Sequence, residues 1–206
     1  MLNKKIAIVV SHMDDEVFGM GGTLLKLSKH NQILIVSFCH GMNGFDEKRF
    51  ESFIEVISKV NAKYDLYDYD DVTLELASTL KLTNKLDNTL KEFNPDIVFT
   101  HSKDCHPDHV IVSDVVDVLS RRGRFQGVYK FTIPGNNEWT DNNFKPSLYI
   151  DITSEFKDKL KLIRYYREYQ YPDPLSPKKI KYHDEYIGSI INKKKAECFE
   201  IHQEIK

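Results

Sequence analysis

The chain has 206 residues, of which 41% are hydrophobic and 29% charged, a composition typical of one globular domain. Its formal net charge of -2 argues against a nucleic-acid-binding or membrane-surface protein, and its three widely spaced cysteines (Cys39, Cys105 and Cys198) argue against a disulfide framework and for a cytoplasmic location. The five-residue apolar run near the start is shorter than a signal-peptide core or a membrane span, so we expect a soluble chain with no membrane span.

Strand-like runs of β-branched residues alternate with helix-like segments up to about residue 132. The predicted strands in this part are Ile6–Val10, Ile33–Cys39, Leu66–Tyr69, Ile97–Thr100 and Gly127–Ile133. The predicted helices are Thr23–Lys29, Asp46–Ala62, Leu82–Phe93 and a segment that is marked by Val112 and ends at Gly123. This alternation predicts an α/β fold with a doubly wound, mainly parallel, Rossmann-like sheet.

The pattern loosens after Pro134. The predicted features are a loop through Trp139, a strand at Leu148–Ile152, a helix from Thr153 or Ser154 to about Tyr169, a proline-rich turn at Pro172–Pro177 and an amphipathic stretch that leads to Ala196–Ile201. No repeat, low-complexity tract or obvious linker separates this part from the rest of the chain. We therefore expect a single domain over residues 1–206.

The most informative motif follows the first predicted strand. Ser11-His12-Met13-Asp14-Asp15-Glu16 places one imidazole and three carboxylates at the carboxyl end of that strand, just before the glycines of the segment Gly19–Gly22. Ligands bind at this edge of an open α/β sheet. Because burying unpaired carboxylates is costly, a divalent cation is their natural partner.

A second polar cluster, His101–His109, follows the fourth predicted strand and contains three of the eight histidines. In a common doubly wound order the first and fourth strands are neighbours, so we expect the two clusters to meet. One histidine and one carboxylate from the first cluster, with a histidine from the second, give three ligands and an open fourth position, as in hydrolytic zinc sites. Imidazole and carboxylate also suit iron or manganese, so the residues alone leave the metal open.

Each part of this constellation has an ordinary structural explanation on its own. His12 could be a satisfied buried histidine, and the three carboxylates after it could complement a helix dipole. The segment His106–His109 could be a helix N-terminus with proline in its first turn. Their coincidence at two adjacent strand ends favours a metal site. Adjacent residues cannot easily both ligate one ion, so of Asp14 and Asp15 one can bind it and the other can act on water.

Both motifs resemble those of the zinc-dependent de-N-acetylases known as the PIG-L or LmbE-like family. The family's Pro/Ala-His-Pro-Asp-Asp-Glu motif corresponds to Ser11–Glu16, and its His-Pro-Asp-His motif stands intact at His106–His109. Weaker likenesses at Glu138-Trp139, Asp151-Ile152 and Ala196–Phe199 resemble a branch found with bacterial glycan and antibiotic biosynthesis. The resemblance therefore covers nearly the whole chain.

The resemblance implies three zinc ligands, which are His12, Asp15 and His109. It implies that Asp14 is the general base, which takes a proton from the zinc-bound water and later gives it to the leaving amine. It also implies that His106 stabilises the oxyanion of the tetrahedral intermediate, with Asp108 orienting or charging that imidazole.

The chain departs from the first motif at Ser11 and Met13, but neither position supplies a ligand. The family often has an arginine near the substrate on the helix after strand two, and the spacing leaves both Lys48 and Arg49 as candidates. Trp139 is a further candidate, because its ring could provide an aromatic platform for a sugar.

The sequence thus predicts a zinc-dependent hydrolase, with another divalent metal possible, that removes the N-acetyl group from a small amino sugar or its conjugate. The alternative is a non-catalytic metal- or sugar-binding domain, which needs no second carboxylate beside Asp15. A dehydrogenase is disfavoured because Gly19–Gly22 lacks the third glycine of the dinucleotide fingerprint. Cys105 is disfavoured as a nucleophile because nothing suggests a separate base for it.

Overall fold

The computed structural model describes residues 1–136, 141, 144–166 and 176–205. The strands are β1 (Lys5–Val10), β2 (Gln32–Gly41), β3 (Lys63–Asp70), β4 (Ile97–His101), β5 (Gly127–Phe131), β6 (Leu148–Asp151) and β7 (Ala196–Glu204). The helices are α1 (Asp15–Leu27), α2 (Glu47–Val60), α3 (Thr79–Phe93), α4 (Pro107–Ser120), α5 (Phe156–Tyr165) and α6 (Pro177–Ile190). Within the described residues the strands form one sheet in the order β3-β2-β1-β4-β5-β7-β6.

Strand β1 is the centre of the parallel part of the sheet. It pairs in parallel with β2 on one side and with β4 on the other. The β2–β3 and β4–β5 pairs are parallel as well. The predicted doubly wound, mainly parallel sheet and the predicted adjacency of the first and fourth strands are therefore confirmed. The strand order reverses between β1 and β4, so the crevice at their carboxyl ends is the expected binding site.

Helices cover both faces of the sheet. Ile6, Ile8 and Val10 of β1 lie in one core cluster with side chains of α1, α2 and α5. Ala7 and Val9 lie in a second core cluster with side chains of α3 and α4. All five residues are fully buried, because successive strand residues face opposite covered faces. This explains why β1 reads as an unbroken apolar run.

Helix α1 begins at Asp15, well before the predicted start at Thr23. The glycines that suggested a turn lie inside the helix. Glycine is needed there because neighbouring side chains pack closely against the helix, and a Cβ on Gly22 would overlap a neighbouring isoleucine. The helix is irregular at Met20, where φ is -148° and ψ is 25°. The N–H groups of Gly22 and Thr23 donate to the carboxylate of Glu197, at 2.9 and 2.6 Å. Glu197 thus serves as acceptor at the restart of the helix.

Helix α4 begins at Pro107, before the first residue of the predicted stripe at Val112, and His106 is its N-cap. Proline suits this position because its missing N–H has no acceptor in the first turn. The helix ends at Ser120, and a short 3-10 turn rather than further α-helix leads to Gly123. The early start of α4 places the second polar motif on the first turn of the helix.

The C-terminal part completes the sheet with antiparallel strands. Strand β7 runs antiparallel to both β5 and β6. The described part of α5 ends at Tyr165, while the predicted helix end at Tyr169 and residues 172–175 of the predicted turn Pro172–Pro177 lie outside the described residues. None of the helices described here is both long and apolar enough to cross a membrane.

Candidate metal centre

The two polar motifs meet at the carboxyl ends of β1 and β4. The ring centroids of His12 and His109 are 5.4 Å apart. His12 Nδ1 lies 3.2 Å from Asp15 Oδ2, and His109 Nε2 lies 3.5 Å from Asp15 Oδ1. The backbone N–H of His12 also donates to Asp15 Oδ2, at 2.8 Å, which orients this carboxylate. Asp15 therefore lies between the two imidazoles.

His12, Asp15 and His109 form a potential set of metal ligands. One ligand atom of each lies within 4.8 Å of the other two. The three residues are only 5%, 5% and 2% exposed, although each is polar. Two imidazole nitrogens and one carboxylate oxygen form a donor set that suits zinc and leaves room for an exchangeable ligand. The residues thus fit a catalytic divalent cation.

The electrostatics of the cluster favour a positive charge at its centre. Burial alone lowers the pKa of His12, but the charge of Asp15 and the hydrogen bond to Asp108 outweigh it and raise the pKa to about 10. The pKa of His109 is raised to about 9, because Asp15 and Asp104 likewise outweigh the effect of burial. The carboxylates that raise both pKa values would attract a metal cation in the same way, and such a cation replaces ring protons when it binds.

Each histidine of the set uses its second nitrogen to contact a carboxylate. His12 Nε2 lies 3.0 Å from Asp108 Oδ2, and His109 Nδ1 lies 2.8 Å from Asp104 Oδ2. Such carboxylate–histidine pairs orient the ring and fix its tautomer so that the other nitrogen faces the metal. Asp108, which the resemblance implies orients or charges His106, thus directs its carboxylate at His12, and its role toward His106 stays a prediction.

His106 is oriented by backbone instead. Its Nδ1 accepts a hydrogen bond of 3.2 Å from the N–H of Asp108. Burial, followed by the charges of His12 and His109, lowers the pKa of His106 to about 4, so the imidazole is neutral. With Nδ1 accepting, the proton of the neutral ring is on Nε2. The ring lies beside the ligand set, with its centroid 4.7 Å from that of His12.

Asp14 contacts a cation rather than the histidines. Arg49 Nη2 lies 3.2 Å from Asp14 Oδ2, and Arg49 Nη1 lies 2.7 Å from Asp71 Oδ2. Burial raises the pKa of Asp14, and the charge of Arg49 opposes that rise. Lys48, the other candidate on α2, is exposed. Only Arg49 of these two neighbours therefore lies at the centre, while Trp139 is outside the described residues.

The chain matches a known protein family over the segment that builds this centre. The profile of PIG-L, described as GlcNAc-PI de-N-acetylase, matches residues 7–120 and thus both polar motifs. The chain belongs to the PIG-L family. The chain is also 27% identical over 106 residues to "Uncharacterized protein L374" of Acanthamoeba polyphaga mimivirus. That match covers 46% of the chain and 47% of the viral protein, so the chain spans about half the length of this curated relative.

Solved structures share the fold over nearly the whole chain. The conserved protein TT1542 from Thermus thermophilus has a TM-score of 0.80 and 21% identity, and the match covers 100% of this chain and 97% of that one. The N,N'-diacetylchitobiose deacetylase from Pyrococcus horikoshii has a TM-score of 0.75 and 24% identity, with 96% and 83% covered. At these identities the likeness shows a common fold.

The sequence alone did not point to three residues of the centre. Asp104 contacts His109, and Asp71 contacts Arg49. His101, the last residue of β4, stacks on His109 with ring centroids 3.9 Å apart. Asp104 could have been found, because it lies within the second polar cluster and a ligating histidine normally needs a carboxylate or carbonyl partner. The position of Asp71 after the weakly patterned strand β3 gave no such signal.

Proposed function

We propose that this PIG-L family member is a metal-dependent hydrolase that removes the N-acetyl group from an N-acetylated amino sugar or its conjugate. The observation that carries the proposal is the arrangement of the two neighbouring aspartates: Asp15 lies among the histidines, while Asp14 is held apart by Arg49. A hydrolase needs one carboxylate for the metal and one for the water. The family description and the P. horikoshii deacetylase, both of which concern N-acetylglucosamine units, support an amino-sugar substrate.

His12, Asp15 and His109 would hold the metal, and we propose zinc. When bound, such an ion supplies Lewis acidity, which polarises a carbonyl and lowers the pKa of a water molecule. Asp104 and Asp108 orient the two histidines so that a lone pair of each ring faces the ion. This outer layer of carboxylates supports a resident metal rather than an adventitiously bound one.

Asp14 is the proposed general base. Arg49 orients its carboxylate, and the charge of Arg49 opposes the rise of the Asp14 pKa that burial causes. Asp14 takes a proton from the attacking water and later delivers it to the nitrogen of the leaving amine. The same carboxylate can do both because the water attacks the same carbonyl carbon that the amine nitrogen leaves.

His106 is the proposed donor to the oxygen of the acetyl group. Its Nδ1 is occupied by the N–H of Asp108, so Nε2–H is the donor available to a substrate. A donor that is held in place before the reaction stabilises the developing oxyanion without reorganisation. We expect His106→Ala to keep its metal and to lose roughly 10²–10³-fold in kcat, as removal of a single oxyanion-hole donor does elsewhere.

Arg49 is the proposed substrate contact on α2, with Lys48 as its matched control. Arg49→Ala should lower kcat/KM, since it removes the cation that orients Asp14 and a donor at the site. Lys48→Ala should retain most of the activity, since its side chain faces solvent. Steady-state kinetics of both variants on one substrate tests the assignment, and a larger loss in the Lys48 variant contradicts it.

The decisive experiment measures amine release by mass spectrometry from a panel of N-acetylated sugars, nucleotide sugars and glycosides. We expect turnover of at least one class by zinc-loaded protein, loss with a chelator and recovery with a divalent ion. The alternative, a non-catalytic metal- or sugar-binding domain, predicts binding of the same compounds and no amine. Wild type and Asp14→Asn should differ in amine release but not in metal content.

A further inference from the structure

A second group of possible metal ligands lies on the other side of His12. Cys39 in β2, Asp108 in α4 and His12 each offer one ligand atom, and these three atoms lie within 4.8 Å of one another. All three side chains are more than nine-tenths buried. We call these three residues the thiol cluster. It shares only His12 with the proposed catalytic ligand set.

A strand irregularity directs Cys39 into the thiol cluster. The register between β2 and β3 shifts on both sides of Cys39, whose N–H donates to the carbonyl of Ser11, just after β1, at 2.8 Å. Phe38 and Cys39 lie in the same core cluster, although neighbours in a regular strand face opposite sides. Irregularities of this kind re-aim side chains beside functional sites. Here the thiol faces α4, with Sγ 3.9 Å from Asp108 Oδ2.

The spacing of the thiol cluster suits a four-coordinate ion with one thiolate. Metal–nitrogen bonds of about 2.0 Å and metal–sulfur bonds of about 2.3 Å place the ligand atoms of a tetrahedral ion roughly 3.5 Å apart. Asp108 Oδ2 lies 3.0 Å from His12 Nε2 and 3.9 Å from Cys39 Sγ. These distances lie on either side of that separation. A thiolate beside an imidazole favours softer divalent ions such as Cd²⁺.

The thiol cluster and the catalytic set compete for one imidazole. His12 Nδ1 faces Asp15, and His12 Nε2 faces Asp108. A neutral imidazole has a single acceptor nitrogen. An ion bound to Nδ1 leaves Nε2–H as donor to Asp108, whereas an ion bound to Nε2 leaves Nδ1–H as donor to Asp15. Neutral His12 therefore serves one of the two sites at a time.

We propose that the thiol cluster is a competing site for thiophilic divalent cations, which withdraws His12 from the catalytic centre and so inhibits the protein. When the ion binds, the S–H bond of Cys39 and the Nε2–H bond of His12 break, a metal–sulfur and a metal–nitrogen bond form, and both protons leave to solvent. His12 keeps its Nδ1 proton, and no electron is transferred. Only the inhibition rests on the proposed function, because ion binding is measurable without a substrate.

One surface turn covers the thiol cluster. The N–H of Val72 donates to Asp108 Oδ2, at 2.7 Å. Val72 itself is 49% exposed and has a φ of 63°, a left-handed conformation that is unfavourable for a β-branched residue. Displacement of this strained turn would free Asp108 Oδ2 from the N–H of Val72.

The first test titrates the metal-free full chain with Cd²⁺ and records the ultraviolet thiolate-to-cadmium absorption band. Three cysteine variants make the test specific: Cys39→Ser, with Cys105→Ser (exposed) and Cys198→Ser (buried elsewhere) as matched controls. We expect the band in wild type and in both controls. We expect Cys39→Ser to lose the band while it retains a wild-type circular dichroism spectrum. A band that persists in Cys39→Ser, or that disappears in Cys105→Ser, overturns the proposal.

The second test needs no variant. If His12 is shared, one equivalent of Zn²⁺ bound beforehand should weaken the cadmium band, and excess Zn²⁺ should suppress it. A cadmium band of the same strength and affinity with and without bound Zn²⁺ overturns the competition.

The third test measures inhibition of the activity by Cd²⁺. Half-inhibition of Cys39→Ser should need at least about tenfold more Cd²⁺ than half-inhibition of wild type, each measured relative to its own activity, because even the loss of an outer-shell partner weakens metal binding by about that factor. Equal sensitivity contradicts the inhibitory role.

Discussion

Asp14 and Asp15 are adjacent in the chain, yet their surroundings differ. Asp15 accepts the N–H of His12 and contacts several imidazoles, which lower its pKa against the effect of burial. Asp14 faces a guanidinium. Because the strand ends here and α1 begins, two consecutive side chains face different partners. The proposed division of labour follows from this difference.

The two aspartates can be separated by amide substitution. Asp14→Asn should keep its metal and lose about 10²–10⁴-fold in rate, because an amide cannot accept the proton of the water. Asp15→Asn should lose metal affinity first, and excess metal should partly restore its activity. Metal content and deacetylation rate, measured side by side, test this. Metal loss in the Asp14 variant with full retention in the Asp15 variant would mean that the two roles are exchanged.

Asp104 is the partner of a proposed ligand rather than a ligand. Its carboxylate lies 2.8 Å from His109 Nδ1. Asp104→Asn should weaken metal binding by about 10–100-fold, as the loss of outer-shell partners does. The matched control is Asp114→Asn, since Asp114 lies on the surface of α4 and pairs with Lys103. Competition with a chelator of known affinity measures the difference, and equal affinities of the two variants refute the role of Asp104.

The sequence identified the residue types of the centre better than their pairings. Two polar clusters after buried strands had to meet once β1 and β4 were neighbours, so the juxtaposition of His12 and His109 could be predicted. The resemblance assigned Asp108 to His106, whereas in the structure its carboxylate contacts His12 and its backbone N–H contacts His106. Only the tertiary arrangement decides between two partners at similar reach.

At the scale of elements, α1 shows how packing overrides local propensity. Glycine disfavours helix interiors, which is why the segment Gly19–Gly22 suggested a turn. In the structure α1 lies so close to its neighbours that larger side chains do not fit at Gly19 and Gly22. Strand β1 was predictable because burial on both faces gives a uniform apolar run, whereas close helix packing leaves no periodic pattern.

Glycine-to-alanine changes in α1 test this view. A Cβ on Gly22 would lie 2.7 Å from Ile152 Cδ1 and 2.8 Å from its Cβ, whereas on Gly21 the closest atom is a flexible lysine Cγ at 3.2 Å. Gly22→Ala should therefore lower the free energy of unfolding by roughly 1–3 kcal/mol through overpacking. Gly21→Ala should cost less. Denaturant unfolding of both variants gives the comparison, and a stabilised Gly22 variant would be the contrary result.

At the scale of the molecule, a buried ion network joins α5, α6 and β7. Lys159 Nζ lies 2.7 Å from Asp184 Oδ2 and 2.8 Å from Glu197 Oε1, and all three side chains are about 1–2% exposed. Glu197 in turn accepts from the backbone of α1. The network thus connects the C-terminal elements to the helix that begins at the metal centre. Burial alone lowers the pKa of Lys159, but the two carboxylates outweigh it and raise the pKa.

This network predicts a loss of stability in alkali. A raised lysine pKa in the folded state adds stability that is complete below the unfolded value of about 10.4 and is lost as pH rises through the folded value. Tyr129, whose pKa burial raises to about 12, acts in the same direction. Unfolding free energies should therefore fall above about pH 10.4. Lys159→Met should have a lower free energy of unfolding than wild type. That free energy should also fall less steeply with pH, with a difference in slope of up to about 1.4 kcal/mol per pH unit. Lys161→Met, which removes an exposed pair, should follow wild type.

The contact between His12 and Asp108 spans 96 positions of the sequence, and this separation would govern how the protein acquires the proposed metal. A nascent chain that has emerged only as far as α3 possesses the first motif and none of the second. Contacts of such high sequence separation form late, since chain entropy opposes them until the sheet is assembled. Metallation must therefore follow the docking of β4 on β1, and a chelator present during refolding should leave the early folding phases unchanged.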